Sequence, residues 1–212
     1  MSESSSDNSP TRAIDEILRT TRSVRRRIDF DRPVEARVIE ECIDIATQAP
    51  TGLPPESWRF LVLTDPAPKQ ALAALYRSAL ETLARTRGGE IKQSQLELAE
   101  RLQDMPALIL VCAQGRPAPD SVALQVSFYG SILPAAWSLM LALRARGLGA
   151  TWTTLHLLHE REAAAELGIP GDITQTVMLP VGYTKGAVLR PAERRPAAEV
   201  TYWNRWGEGR PG

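Results

Sequence analysis

Four arginines cluster near the N-terminus, in the stretch TTRSVRRRIDF at residues 20–30. Three of its residues, Arg22, Ser23 and Arg25, have types and spacing that suit one compact phosphate. Guanidinium groups bind phosphate oxygens in pairs, and a serine hydroxyl adds a further hydrogen-bond donor. The alternative is a solvated basic face, which this stretch taken alone favours.

A second basic group lies near the C-terminus, where RPAERRP contains Arg190, Arg194 and Arg195. The two arginine groups could converge on one anion, but nothing in the sequence requires it, and a solvated tail is an equal alternative. The whole chain carries 25 basic and 25 acidic residues, so its formal net charge is zero. A neutral chain argues against a general nucleic-acid binder, and we expect no nucleic-acid partner.

A loop rich in proline and glycine, APTGLPPES at residues 49–57, separates a predicted helix from a predicted strand. Loops of this kind can bring their backbone close to a flat ligand, because glycine leaves room and proline limits motion. The alternative is an ordinary structural turn, which this stretch alone favours.

The stretch GLGATWTTLH follows a long apolar segment and begins with two glycines that end the predicted helix. We expect Thr151, Thr153 and Thr154 to expose hydroxyls and backbone amides at the end of the sheet. Crevices beyond strand ends are common ligand sites. The stretch is therefore a second candidate for ligand contact.

Other kinds of chemistry find little support in the sequence. His156 and His159 lie three residues apart, but no further ligand pattern accompanies them, so we expect no metal site. Cys42 has no base near it in the sequence, and neither a Gly-x-Ser-x-Gly elbow nor a Gly-x-Gly-x-x-Gly or P-loop motif occurs. A cysteine or serine nucleophile and a classical dinucleotide fold are therefore not expected.

The elements that must position these residues are alternating helices and strands, which indicates an α/β or α+β fold with a central sheet. Apolar spacing and breaker residues predict helices over 11–22, 33–49, 66–85, 90–105, 121–146 and 159–168, and strands over 58–64, 106–113, 150–155 and 174–183. The helix over 121–146 is apolar around most of its circumference. We expect it to be buried on several sides, in part through a subunit interface.

The two ends of the chain carry different signals. Residues 1–11 are polar and contain no apolar segment, so we predict a disordered tail rather than a signal peptide or membrane anchor. The two cysteines indicate free thiols in a reducing compartment, and we expect a cytoplasmic protein without a membrane partner. The C-terminal stretch holds Trp203 and Trp206, whose rings need a surface to bury against.

Taken in order, five stretches resemble the FMN-dependent nitroreductase family from about Ile14 to Gly207. They are TTRSVRRRIDF, APTGLPPESWRF, GSILPAAWSLMLALRARGLGATWTT, LGIP with VMLPVGY, and ERRPAAEVTYWNRWG. The resemblance implies an α+β fold with a mostly antiparallel central sheet flanked by helices, in an intertwined homodimer. It also implies one flavin domain over 12–212, with an arm at 184–212 that packs on the partner subunit.

The resemblance further implies which residues bind the cofactor, FMN. The family motif places them in four groups: Thr21, Arg22, Ser23 and Arg25 at the phosphate and ribityl; Pro50, Thr51 and Gly52, whose backbone packs on the isoalloxazine; Thr153, Thr154 and Leu155 at the flavin edge; and Arg194 and Arg195 at the phosphate. Three departures accompany the match: Pro54, Glu56 and Ser57 replace an asparagine, a glutamine and a proline of the family pattern.

The function implied by the resemblance is that of an NAD(P)H oxidoreductase. Hydride would pass from NADH or NADPH through the flavin N5 to a nitroaromatic, quinone or similar small acceptor, in a ping-pong sequence without an obligatory catalytic side chain. The departures at Pro54, Glu56 and Ser57 motivate an alternative, a flavin-binding or flavin-storing protein of the same fold with little turnover.

Overall fold

The structure is a computed structural model that describes residues 10–54, 57–87 and 91–211. Two compact units are distinguished within the chain. One unit comprises Thr21–Val188 and contains the sheet, and the other combines the chain before Thr21 with the chain after Val188.

Four antiparallel strands form the sheet of the larger unit, in the order β1-β2-β4-β3. Their bounds are β1 Trp58–Leu63, β2 Ala107–Gln114, β3 Leu148–Ala150 and β4 Ile173–Tyr183. The central pair, β2 and β4, is buried along nearly its whole length, as expected when both faces of a strand are covered. The short β3 comes last in the strand order, so it is an edge strand whose outer side can pair with a further segment.

Six α-helices complete the described fold: α1 Pro10–Thr20, α2 Ala36–Ala46, α3 Pro66–Arg87, α4 Gln93–Arg101, α5 Val122–Ala145 and α6 Glu160–Leu167. The main core joins the buried faces of α2 and α5 to alternate residues of β2 and β4. Short 3-10 turns at Leu102–Asp104 and Leu155–His159 lead into β2 and α6. The second of these turns contacts α3.

Helix α5 is apolar on almost every side, but only part of its surface is covered. Ile132, Leu139 and Leu143 are fully buried, whereas Val122 is 77% exposed and Val126 is 65% exposed. Within the described residues α5 alone is long and apolar enough to cross a membrane, and half of its most apolar window is buried inside the fold. The core helix of a soluble protein meets the same criteria.

The predicted α+β class with a mostly antiparallel central sheet is confirmed, since every strand pairing in the described sheet is antiparallel. The predicted tail over residues 1–11 lies outside the described residues as far as residue 9. Pro10 and Thr11 are helical instead, because proline is well tolerated in the first turn of a helix such as α1. The single domain over 12–212 and the arm at 184–212 stay predictions.

Candidate functional site

The arginine segment, residues 21–28, runs beside the edge of the sheet and bends at Arg26 and Arg27. The backbone N–H of Val24 donates to the carbonyl of Ala150 at 2.9 Å, and the Thr151 hydroxyl donates to the Val24 carbonyl at 2.7 Å. Further along, Ile28 forms a bridge with Thr184. The segment thus uses the open side of β3 and is held to the sheet at both of its ends.

Two glycines permit this close approach. A Cβ added at Gly149 would lie 2.9 Å from both the Thr184 methyl and the Val24 Cβ, and one added at Gly182 would lie 2.6 Å from the Ile28 Cγ2. Carbon atoms in ordinary contact are about 3.5–4.0 Å apart, so neither position has room for a side chain. The arginine segment is therefore placed by close packing of the Val24 and Ile28 side chains against glycine backbone at the sheet edge.

Ser23 joins the arginine segment to the chain that follows β3. Its Oγ accepts the backbone N–H of Trp152 at 3.0 Å, which leaves the hydroxyl proton available to donate to a ligand. The neighbouring Arg22 is half-buried, and its Nη1 donates to the carbonyl of Thr21 at 2.8 Å. Two of the predicted phosphate ligands are thus built into one rigid segment.

A cavity of about 340 Å³ lies where the arginine segment meets the turn after β3. We call it the Thr153 cavity, and its walls are Arg25, Tyr76, Leu83, Gln95, Trp152, Thr153, Thr154, Leu155 and Leu158. The structure therefore brings together four predicted cofactor residues: Arg25, Thr153, Thr154 and Leu155. The Nε atom of Arg25 is buried and has no hydrogen-bond partner among the described residues.

Thr153 is held in place by contacts on two sides. Its backbone exchanges hydrogen bonds with Met178 on β4, at 3.1 and 2.8 Å, and its hydroxyl lies 3.0 Å from the hydroxyl of Tyr76 on α3. Burial raises the pKa of Tyr76, so the phenol stays protonated near neutral pH. The threonines were predicted to expose their hydroxyls, but Thr151 and Thr153 are buried, and only Thr154 is exposed.

Tyr76 and Gln95 line the cavity but were missed by the sequence reasoning. They come from α3 and α4, in a region that matches no recognisable motif. The one available signal was Tyr76 itself, an aromatic residue with a polar tip among the apolar residues of a predicted helix.

The loop with Pro50, Thr51 and Gly52 is attached to α5, and it lines neither the Thr153 cavity nor the basic cavity discussed below. The N–H of Gly52 donates to Ser131 Oγ at 2.9 Å, and the indole N–H of Trp58 donates to the Ser131 carbonyl at 2.8 Å. All three predicted loop residues are exposed. One helix residue, Ser131, thus supports both ends of a loop whose outer surface remains open.

Two of the three departures from the family pattern lie in described residues and contact each other. The backbone N–H and the hydroxyl of Ser57 both donate to the Pro54 carbonyl, at 3.3 and 2.8 Å. Glu56 lies outside the described residues. The two described departures are thus joined by hydrogen bonds, and the carbonyl of Pro54 is used within the loop.

Arg194 and Arg195 are exposed and belong to the unit that contains α1. The Nη1 of Arg194 donates to the carbonyl of Glu193 at 3.3 Å. Convergence of these arginines with Arg22 stays a prediction.

The remaining titratable groups near the core do not suit catalysis. Burial lowers the pKa of His156 to about 4, and neither ring nitrogen has a partner among the described residues. Burial raises the pKa of Cys112 to about 12 and raises that of Cys42, so both thiols are poor nucleophiles. The part of the chain that the structure describes contains no group of three or more potential metal ligands.

Comparison with curated proteins finds relatives that are iodotyrosine deiodinases. The chain is 30% identical over 189 residues to iodotyrosine deiodinase 1 of Rattus norvegicus, covering 84% of this chain and 66% of that protein. It is 27% identical over 193 residues to the iodotyrosine deiodinase of Thermotoga neapolitana, covering 87% of this chain and 94% of that protein. The chain thus spans just under two thirds of the rat protein.

Solved structures share the fold at lower identity. Oxidised iodotyrosine deiodinase bound to FMN and 3-iodo-L-tyrosine superposes with a TM-score of 0.70 and 22% identity, covering 90% of this chain and 98% of that chain. A variant of the FMN- and NADPH-dependent nitroreductase NfnB from Sphigopyxis sp. strain HMH gives a TM-score of 0.69 at 20% identity, and the match covers 91% of this chain and 99% of that chain. A model of the nitroreductase family matches residues 18–183. The chain therefore belongs to the nitroreductase family and has its fold.

Proposed function

We propose that this chain binds FMN and transfers hydride from NADH or NADPH to a small acceptor such as a nitroaromatic compound or a quinone. The observation that carries the proposal is the Thr153 cavity, which Arg25 lines together with the predicted flavin-edge residues; the Arg25 Nε is buried and has no hydrogen-bond partner in the described part of the chain. FMN-bound relatives of the same fold support the choice of cofactor.

The residues present fit FMN. Arg22, Ser23 and Arg25 offer guanidinium and hydroxyl donors to the phosphate and ribityl, and Arg195 would add a further cation. The backbone from Thr153 to Leu155 would donate to the flavin edge, and the open loop with Gly52 would cover the ring. FMN supplies the hydride chemistry when bound, while the chain contributes binding, orientation and positive charge near the ring.

The decisive experiment uses purified protein and added FMN. We expect one flavin bound per chain and loss of its visible absorbance when NADH or NADPH is added without oxygen. Arg22→Ala and Arg195→Ala should weaken FMN binding, whereas Arg161→Ala, an exposed arginine on α6 that lines neither cavity, should not. Equal effects from all three variants would refute the assignment of the phosphate ligands.

Reductive dehalogenation is a second candidate, because the relatives at 30% and 27% identity are iodotyrosine deiodinases. In that reaction two electrons and a proton replace a carbon–iodine bond with a carbon–hydrogen bond and release iodide. Iodide release from 3-iodo-L-tyrosine by the reduced protein would favour it over nitroreduction. Flavin binding with no turnover of any acceptor would instead favour the storage protein.

We also propose that the chain acts as a cytoplasmic homodimer. Val122 and Val126, one turn apart on the same side of α5, expose apolar side chains of the kind that mark a protein interface. The C-terminal arm at 184–212 would pack on the partner. Light scattering on the purified protein should give twice the chain mass, and Val126→Glu should shift it toward the monomer. A monomeric wild-type protein would refute the proposal.

A further inference from the structure

A second cavity of about 270 Å³ lies on the other side of Arg25. We call it the basic cavity, and its walls are Arg25, Arg26, Arg27, Phe30, Glu97, Leu98, Arg101 and Met105. Four of these eight residues are arginines and one is acidic. Because Arg25 lines both cavities, the basic cavity adjoins the proposed flavin site.

Two of the four arginines have acidic partners. Arg26 binds Glu97 through two hydrogen bonds, at 2.7 and 3.0 Å, which neutralise the one carboxylate of the wall. Arg101 lies 3.5 Å from Asp104 and also stacks on the Phe30 ring, with its guanidinium carbon 3.5 Å from the ring centre. The aromatic face of the cavity is thus already covered by a guanidinium, which leaves little room for a nucleobase to stack there.

The other two arginines, Arg25 and Arg27, form no ion pair with any acidic group among the described residues. The cavity consequently carries a net positive charge. Guanidinium groups without an acidic partner are suited to the paired oxygens of a phosphate or pyrophosphate.

Arg27 also has an unusual backbone. Its φ of 58° lies in the left-handed region, which non-glycine residues seldom occupy. The conformation is held by the N–H of Lys185, which donates to the Arg27 carbonyl at 2.7 Å, and by the bridge between Ile28 and Thr184. Strained residues that the surrounding structure holds in place occur preferentially at functional sites.

We propose that the basic cavity is an anion subsite that binds a phosphate group of the dinucleotide reductant. The inference rests on the proposed function, because it places the reductant beside the flavin cavity. Arg27 is exposed, so its attraction to an anion is screened and reversible. Such reversible binding suits a reductant that leaves in every cycle.

Two phosphate sources have this chemistry. The pyrophosphate bridge occurs in both NADH and NADPH, and the ribose 2′-phosphate occurs in NADPH alone. If the cavity binds the pyrophosphate, removal of a cavity arginine should lower the affinity for both dinucleotides by a similar factor. If it binds the 2′-phosphate, only the affinity for NADPH should fall.

The test variant is Arg27→Asn, because asparagine tolerates the left-handed region and carries no charge. In FMN-loaded protein we expect about fivefold weaker binding of inorganic pyrophosphate or adenosine 2′,5′-bisphosphate by calorimetry, with a matching rise in KM for the dinucleotide. Arg161→Asn is the matched control. Reduced nicotinamide riboside carries no phosphate, and its KM should stay unchanged.

Glu97→Gln should raise the affinity for the same probe, because it releases Arg26 and removes the carboxylate from the cavity wall. Unchanged probe binding in Arg27→Asn, or loss of FMN affinity as large as the loss of dinucleotide affinity, would overturn the inference. If neither dinucleotide reduces the flavin, the proposed function fails, but calorimetry with pyrophosphate still decides whether the anion subsite exists.

Discussion

Close packing at Gly182 supports the placement of the arginine segment, and Gly182→Ala tests it. The added Cβ would lie 2.6 Å from the Ile28 Cγ2, about 1 Å closer than ordinary carbon contacts allow. Ile28 is buried and bridges Thr184, so it cannot turn aside freely. Overpacking of this kind lowers the free energy of unfolding by about 1–3 kcal/mol.

Urea unfolding of apoprotein and FMN titration measure the two consequences. We expect the stability loss together with weaker FMN binding, because the displaced segment carries Arg22, Ser23 and Arg25. Gly171→Ala is the control, since no atom lies within 4 Å of the added Cβ and its stability should change by less than about 0.5 kcal/mol.

A double variant separates the packing clash from other effects. Ile28→Ala removes the methyl group that the new Cβ would meet, so adding it to Gly182→Ala should cause less loss than the two single variants summed. Additive losses of unfolding free energy, or an unchanged FMN affinity in Gly182→Ala, would refute the argument that close packing against the sheet places the arginines.

Three further predictions concern polar side chains inside the fold: His156, Tyr76 and Ser131. Burial lowers the pKa of His156 to about 4, from about 6.5 in the unfolded chain. The free energy of unfolding should therefore be highest above pH ~6.5 and fall by up to about 3 kcal/mol as the pH drops toward 4. In urea unfolding, His156→Leu should reduce this dependence of the unfolding free energy on pH. Tyr76→Phe removes the hydroxyl that faces Thr153, and should lower the free energy of unfolding by about 1 kcal/mol and shift the absorbance spectrum of bound flavin; an unchanged spectrum would contradict contact between residues 153–155 and the ring. Ser131→Ala leaves the Gly52 N–H without its acceptor and should weaken FMN binding about fivefold in a fluorescence titration, while an affinity within a factor of about two would show that the loop does not depend on this anchor.

The sequence predicts the three long strands and the main helices because their apolar spacing is strong, whereas the strand predicted over 150–155 is found as the shorter β3 at Leu148–Ala150. The runs around Leu110 and Met178 have the composition of buried strands, and these residues pair across the centre of the sheet. The resemblance also groups Arg25 with residues 153–155 as cofactor ligands, and these residues line one cavity. Local pattern and motif order thus account for the framework of the candidate site.

Other parts of the site depend on contacts between residues far apart in the chain. Tyr76 meets Thr153 across 77 positions, and Ser131 meets Gly52 across 79, so neither pair can be found from spacing alone. The different roles of the clustered arginines also need the structure, because Arg26 forms an ion pair with Glu97, whereas Arg25 and Arg27 form none among the described residues. A run of like charges in the sequence does not show which of its residues form ion pairs.

The central proposal is that FMN is a bound, reducible cofactor of this chain. An anaerobic titration of FMN-loaded protein with NADPH and NADH, followed by visible absorbance, measures binding and reduction together. We expect one flavin per chain, loss of the oxidised spectrum with one equivalent of at least one dinucleotide, and its return when a nitroaromatic compound or quinone is added. Protein that fails to retain FMN, or bound flavin that neither dinucleotide reduces, would contradict it.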